Sequence, residues 1–252
     1  MAATVFLAEV LPAPGEEYLL DGDEGRHAAA VRRIRVGEEL VLSDGAGGFA
    51  RCAAEAVGKS DVTVRCAQTW TVPAPSPRVI VVQALPKSDR AELAVELATE
   101  AGADEIVPWQ AARCVARWDG AKSKAEKGVA RWRAVARSAA KQARRAYVPR
   151  VHDLVTGREL IPLLTSMDAN VVVLHEGSAV PLGEVDFSVT TTVVIVVGPE
   201  GGISPEELDA LVAMGAQPAL LGPTVLRTST AAAVALGAIG VLTDRWAQTP
   251  PA

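Results

Sequence analysis

Two glycine-bearing turns near the C-terminus hold the residues best placed to do chemistry. The first is Gly198-Pro199-Glu200-Gly201-Gly202, delivered by the β-branched run from Thr192 to Val197. Adjacent glycines permit positive φ and let a ligand come close to the backbone. Ser204-Pro205-Glu206-Glu207 then opens a helix, with Ser204 as N-cap, Pro205 at the first helical position and Glu207 closing a capping box. The second turn is Leu221-Gly222-Pro223-Thr224-Val225-Leu226-Arg227-Thr228, which again follows a strand-like run and opens a helix at about Ser229. In open α/β sheets ligands bind at the carboxyl ends of the strands, where two such turns can meet.

The chemistry of the ligand follows from charge. The first turn has neither the lysine and hydroxyl of G-x-x-x-x-G-K-[ST] nor the spacing G-x-G-x-x-G. Glu206 and Glu207 already supply negative charge to the helix start, with Glu200 just upstream, so a phosphate is repelled where helices usually attract one. A neutral or cationic ligand suits the turn, and the sulfonium of S-adenosylmethionine is of that kind. The plain alternative is a tight turn with an ordinary helix cap. Arg227 is either a salt bridge closing its loop or a guanidinium placed for RNA phosphate or a base. His175, a lone histidine at a strand end, reads more readily as structural.

The elements that position these turns alternate strand and helix. Val79–Val82, Ile106–Trp109, Val171–Leu174, Thr192–Val197 and Ala219–Leu221 read as strands of a mainly parallel sheet covered on both faces. The spacing of Leu93, Leu97 and Ala101 predicts a helix capped by Ser88 and stopped by Gly102. A long helix over about 122–146 carries Trp132, Val135, Ala136, Ala139 and Ala143 on one side and Arg133, Arg137 and Lys141 as a ridge on another. Nine basic side chains stand against one acid, Glu126, between Lys122 and Arg145, although the whole chain carries a formal charge of -5. A local stripe of this kind serves a polyanion better than the global sum suggests; its bland reading is a solvated helix face.

Three prolines within Val72–Pro77 mark a linker. Before it, Glu39–Ser43, Phe49–Val57 and Val62–Cys66 alternate between glycine turns, as in a small barrel, preceded by a short helix from His27 to Arg35. The expected division is 1–72, a linker at 73–77, and 78–252. Nearly half the residues are hydrophobic, enough for packed cores, and no apolar run is long enough to span a membrane. The start of the sequence lacks a secretory pattern, and Cys52, Cys66 and Cys114 have no metal-type spacing. Free thiols, a cytoplasmic location and no metal site are the expectations.

In order along nearly the whole chain, the sequence resembles the ribosomal RNA small subunit methyltransferase E family of the SPOUT superfamily. The matching pieces are His27 with Val31-Arg32-Arg33 and Gly37, Asp44-Gly45, Lys87 through Glu100-Ala101-Gly102, Arg113-Cys114, Gln142 with Arg145 and Pro149, and the two turns described above. The resemblance implies an N-terminal PUA-like barrel that helps bind RNA and a C-terminal SPOUT α/β domain with a trefoil knot. It further implies a homodimer that methylates N3 of a uridine in 16S ribosomal RNA, alone or within the small subunit, using S-adenosylmethionine. On that reading Leu174, His175, Glu176, Gly198, Pro199, Glu200, Gly201, Gly202, Leu221, Gly222, Val225, Leu226 and Thr228 hold the cofactor. Arg227 meets the target uridine or its phosphate, and Glu200 orders the loop or acts as base. Arg32, Arg33, Lys87, Arg90, Arg113, Arg137, Gln142 and Arg145 are the candidates for RNA contact. Ser229 stands where the family often has Glu, and Lys141 where it often has an acid. The alternatives are a SPOUT enzyme acting on a ribose or a transfer RNA, a non-catalytic RNA-binding assembly factor, and a nucleotide-binding enzyme using the glycine turn as a phosphate cradle.

Overall fold

The computed structural model describes residues 4–87, 90–118, 120, 122–188 and 190–247. Among these, residues 4–74 with 140–148 form one compact unit, and 75–139 with 149–247 form another.

The N-terminal unit is a five-stranded sheet of β1 (Thr4–Leu7), β2 (Glu17–Leu20), β3 (Glu39–Ser43), β4 (Gly48–Val57) and β5 (Val62–Thr71), ordered β1-β3-β4-β5-β2. β1 runs parallel to β3 and the other pairs are antiparallel. Strand alternation explains the core: Leu40, Leu42, Ala50, Cys52, Ala54, Val62, Val64 and Cys66 recur at every second position and are buried together. Val41 and Phe49 point the other way and pack with Trp70, Tyr147 and Ala146. Residues 146–148 are tied into the unit by Tyr147 Oη donating to Val72 O (2.8 Å), Gly47 N to Ala146 O (2.9 Å) and Val148 N to Gly45 O (2.8 Å). The thiols of all three cysteines are free and buried.

The expected helix from His27 to Arg35 is displaced. It begins as α1 (Gly22–Arg26), continues as a π-helical turn over His27–Arg32, and stops where Arg33 turns left-handed at φ 55°. Gly22 and Gly25 look like helix breakers in sequence. In the fold Gly25 permits close packing, because a Cβ there would lie 2.3 Å from Leu20 O.

The π-helical turn carries a titrating contact. His27 Nδ1 lies 3.4 Å from Lys141 Nζ, which donates to Glu24 at 2.6 Å, and the His27 ring meets Phe6 edge-on. Desolvation first, and then the Lys141 charge, hold the His27 pKa below its ordinary 6.5, with Glu24 partly opposing. The unfolded chain therefore binds this proton more readily than the folded one. The stability His27 contributes is complete above its unfolded pKa and is lost as pH falls through the lowered folded value. Denaturation curves of the N-terminal unit between about pH 7 and about pH 5 should show this loss, and His27→Gln should flatten it. An unaltered pH slope in that variant would assign the effect elsewhere.

The C-terminal unit contains β6 (Arg78–Ala84), α2 (Ala91–Glu100), β7 (Glu105–Gln110), most of α3 (Lys122–Gln142), β8 (Arg150–Val151), β9 (Val155–Thr156), α4 (Gly157–Thr165), β10 (Asn170–Leu174), β11 (Thr192–Val197), α5 (Pro205–Ala213), β12 (Gln217–Ala219) and α6 (Thr228–Leu242). Its sheet is parallel throughout, ordered β12-β10-β11-β6-β7-β8, with β9 also pairing β7. Helices cover the sheet, so Val79–Val82 and Val193–Val197 are fully buried, which is why they read as uninterrupted β-branched runs.

Several expectations need correction. Ser88 lies outside the described residues, and Arg90 occupies the N-cap of α2. The buried side of α2 is Ala94, Val95, Ala98 and Thr99, while Leu93 and Leu97 are only half-buried. The cause is the neighbour: α2 packs on α6, whose buried side is largely small (Ala231, Ala232, Ala235, Gly240), and alanines on both helices let the backbones approach. α3 stops at Gln142 because the chain coils at Arg144 (φ 52°), leaving Ala143 exposed; its inner side is Val129, Trp132, Ala136, Ala139 and Ala140. The basic ridge is partly consumed. Arg133 donates to Val151 O and Asp153, Lys141 is bound to Glu24, and Arg131 pairs with Glu92. Among the described residues Arg137 has no such partner. α6 ends at Leu242 rather than Arg245. A 3-10 turn over Asp244–Ala247 then lays Trp246 on Gly240 and sends Arg245 to Asp104, Gly102 O and Pro77 O. No helix among the described residues is long and apolar enough to cross a membrane, and none of them cluster as a metal site.

Candidate active site

Strands β10, β11 and β12 end together, and the chain leaving each one walls a cavity of about 390 Å³. Its lining comes from Leu174–Glu176 after β10, Val197–Glu200 with Gly202 and Ile203 after β11, and Leu220–Thr228 with Ala231 after β12. This volume falls in the range of small-molecule sites.

The loop after β11 is fixed from several sides. Gly202 (φ 74°) donates its N–H to Pro199 O at 2.9 Å, a left-handed turn that favours glycine. Glu200 Oε1 accepts from Lys87 N (3.2 Å), and Arg113 Nη1 donates to Gly201 O (3.2 Å). The capping box of α5 is complete: Glu207 N donates to Ser204 Oγ (3.2 Å), and Ser204 N donates to Glu207 Oε2 (3.1 Å). Glu206 is held below the usual carboxylate range, mainly by backbone hydrogen bonding and by Ser204, with Arg113 adding attraction. The start of α5 is thus already supplied with negative charge.

The loop after β12 is anchored at its base by Leu220 N to Val180 O (2.7 Å), Leu182 N to Leu220 O (2.8 Å) and His175 N to Ala219 O (3.0 Å). His175 Nδ1 accepts from Gly177 N at 3.1 Å, which places the neutral ring's proton on Nε2. Gln83 Nε2 reaches from β6 to Thr228 O (3.2 Å) and fixes the first turn of α6. Arg227 occupies the N-cap of α6; its backbone oxygen accepts from Thr230 N and Ala231 N while its side chain stays exposed at the cavity. Among the described residues its guanidinium has no hydrogen bond or ion pair. Ser229 turns inward: it is buried, and its hydroxyl has no partner among the described residues.

The structure brings together Leu174, His175, Glu176, Gly198, Pro199, Glu200, Gly202, Leu221, Gly222, Val225, Leu226, Arg227 and Thr228 around this one cavity. Gly201 is absent from the lining and rests on Arg113. Ile203, Leu220, Pro223, Thr224 and Ala231 also line the cavity; they lie within or beside the two turns, and adjacency was the signal that could have included them. Of the basic candidates, Lys87 and Arg113 flank the first loop, and Arg90 stands at the start of α2. Arg137 is exposed on α3 within the same unit. Arg32, which donates to Thr4 Oγ1, together with Arg33, Gln142 and Arg145, belongs to the N-terminal unit.

The cavity sets two carboxylates, Glu176 and Glu200, against one guanidinium, Arg227. A polyphosphate would meet net repulsion there, whereas a ligand with a cationic centre would not.

Comparison with known proteins agrees with this geometry. The RNA methyltransferase domain family matches residues 73–240, and the RNA methyltransferase PUA domain family matches residues 20–65. The chain is 54% identical over 249 residues to the ribosomal RNA small subunit methyltransferase E of Mycobacterium bovis, covering 98% of this chain and 94% of that protein. It is 32% identical to the protein of the same name from Bacillus subtilis, covering 90% and 91%. Among solved structures, a methyltransferase from Legionella pneumophila in complex with bound cofactor SAM superposes with a TM-score of 0.84 at 29% identity, covering 96% and 97%. A ribosomal RNA small subunit methyltransferase E from Neisseria gonorrhoeae, bound to S-adenosyl methionine, gives 0.85 at 26% identity, covering 96% and 98%. With a family match across two thirds of its length, near-full-length relatives and the same two-unit fold, the chain belongs to the ribosomal RNA small subunit methyltransferase E family.

Proposed function

We propose that this chain transfers a methyl group from S-adenosylmethionine to N3 of a uridine in 16S ribosomal RNA. The observation that carries the reading is the cavity between the two loops, closed to phosphate at the start of α5 and lined by more negative than positive charge. The PUA-like RNA-binding domain is read at 1–72 and the SPOUT domain at 78–252, joined through 73–77, with residues 140–148 of the second span returning to the N-terminal unit.

The residues present fit the cofactor. Backbone groups of Leu174–Glu176, Gly198–Gly202 and Leu221–Thr228 would hold it, with apolar walls from Leu174, Ile203, Leu221, Val225 and Leu226 for the adenosine. The cofactor supplies an electrophilic methyl group on a sulfonium. The chain's own work is to bind, orient and move one proton. Uracil N3 carries hydrogen, so a base must accept it or the site must stabilise the anion as it forms. His175 is a poor acceptor, since its Nδ1 lone pair is engaged with Gly177 N–H. Glu200 commits Oε1 to Lys87 N, and its Oε2, which has no hydrogen-bond partner among the described residues, can receive the proton. Arg227, exposed at the cavity, meets the developing charge on the base or the adjoining phosphate. Ser229 points into the core and serves no base role.

The RNA contacts in this reading are Arg32, Arg33, Gln142 and Arg145 of the N-terminal unit and Lys87, Arg90, Arg113 and Arg137 of the C-terminal unit. Replacing Arg137 and Arg145 together by Ala should weaken RNA binding and lower the slope of log affinity against log salt by about 2, measured by filter binding across a salt series. A slope equal to that of the wild type would show that neither arginine meets an RNA phosphate.

The active form is a homodimer, a reading supported by the apolar side chains Val234, Val241 and Leu242 exposed on α6; it works in the cytoplasm, a reading supported by the ribosomal RNA substrate. The trefoil knot is supported by the path after β12: from the sheet edge the chain returns to pack α6 on β6, β11 and the 3-10 turn Leu182–Glu184 within the β10–β11 connection.

Calorimetric titration with S-adenosylmethionine, followed by methylation of RNA from cells lacking the protein, tests the function. Binding and 3-methyluridine in 16S RNA are expected. Ribose methylation or labelled transfer RNA would overturn the target, and RNA binding without cofactor binding would leave a non-catalytic assembly factor.

A further inference from the structure

We propose that Glu207 is a positioning residue for methyl transfer, setting the 198–202 loop through the segment 111–113; the inference rests on the reading of that loop as a cofactor wall. A capping box requires one oxygen of its glutamate, and Glu207 Oε2 fills that need by accepting from Ser204 N at 3.1 Å. The other oxygen does something a capping box does not ask for. Oε1 accepts from Ala112 N at 2.8 Å, fastening the chain just beyond the end of β7 to the start of α5.

The next residue is the one that touches the loop. Arg113 Nη1 donates to Gly201 O, and a Cβ built on Gly201 would lie 3.2 Å from both Arg113 Cβ and Arg113 O. Segment 111–113 is therefore a backstop on which Gly201 rests, and Glu207 pins that backstop. Lys87 N, just beyond the end of β6, holds Glu200 of the same loop. With the pin lost, the backstop can move away from Gly201 and the loop can open on that side. The N-terminus of α5 keeps Ser204 Oγ as acceptor for the 207 N–H, so the helix itself survives. Two converging N–H donors suit a carboxylate; a glutamine has one acceptor oxygen and turns an NH₂ toward the second donor.

The test uses the full chain. Glu207→Gln should raise both the Kd and the KM for S-adenosylmethionine about tenfold or more, the size expected from losing one charge-assisted hydrogen bond. kcat should change far less, and the melting temperature should stay near that of the wild type. Arg113→Ala, which leaves the α5 cap untouched, should reproduce the loss, and the double variant should be little worse than either single one, because both act through one backstop. A folded Glu207→Gln protein with wild-type Kd and KM would overturn the proposal, as would two losses that simply multiply. Should Glu207→Gln fail to fold, Arg113→Ala decides: unchanged cofactor affinity overturns the proposal. A wild-type protein that does not bind S-adenosylmethionine would instead sink the underlying reading of the site.

Discussion

Arg227→Ala should fold, bind S-adenosylmethionine and lose methyl transfer by about two to three orders of magnitude in kcat, the usual loss when one donor aimed at developing charge is removed. Three observations support the proposed assignment of this effect to the chemical step. Arg227 lies at the cavity, its side chain is exposed and without partner among the described residues, and its backbone alone caps α6. Alanine keeps that backbone cap, so the fold has little reason to respond. Steady-state kinetics on 16S RNA, paired with calorimetry on the cofactor, separate the two terms. Wild-type turnover in this variant would strip Arg227 of its role, and a collapse of cofactor binding alone would move that role from the uridine to the cofactor.

Trp132→Ala should destabilise the C-terminal unit by about 3–5 kcal/mol, the cost of deleting a buried aromatic and leaving a cavity. Trp132 is 1% exposed and meets Trp118 edge-on at 5.3 Å between ring centres. Its surroundings cannot easily collapse into the space. Gly128 lies so close to the Trp118 ring that a Cβ there would fall 2.8 Å from it, and the rest of the inner side of α3 is mostly alanine. Thermal melting followed by circular dichroism should show a drop of about 10 °C, with Trp132→Phe recovering most of it. A variant melting within a degree or two of the wild type would show that α3 is not anchored by this side chain.

Trp132 also illustrates what the sequence makes legible. A large apolar residue at helical spacing declares its burial by itself, and so do the β-branched runs of β6, β10 and β11. The two turns were equally legible, because glycine, proline and capping residues act locally. Features set by a neighbour were not. Leu93 and Leu97 look like the core side of α2 until α6 is known to present small residues, which select Ala94 and Ala98. Lys141 looks like part of an RNA ridge until Glu24, distant in sequence, takes its charge. α4 escaped notice although Thr156 and Glu159 form a complete capping box, because Pro162 inside the helix reads as a breaker. Within the site, the lining was readable from the turns, whereas the ties from Lys87, Ala112 and Arg113 depend on which strands are neighbours.

The return of residues 146–148 to the N-terminal sheet bears on how the protein is made. Phe49 and Trp70 stack at 5.3 Å, and the cluster around them includes Ala146 and Tyr147, which are translated more than seventy residues later. A nascent chain halted at the proline segment therefore holds its sheet with one apolar surface uncovered, and a recombinant fragment cut there would inherit the same defect. Completion of the N-terminal fold has to wait until α3 and residues 146–148 have emerged from the ribosome, so the first-made sheet stays open until more than half of the chain has been synthesised.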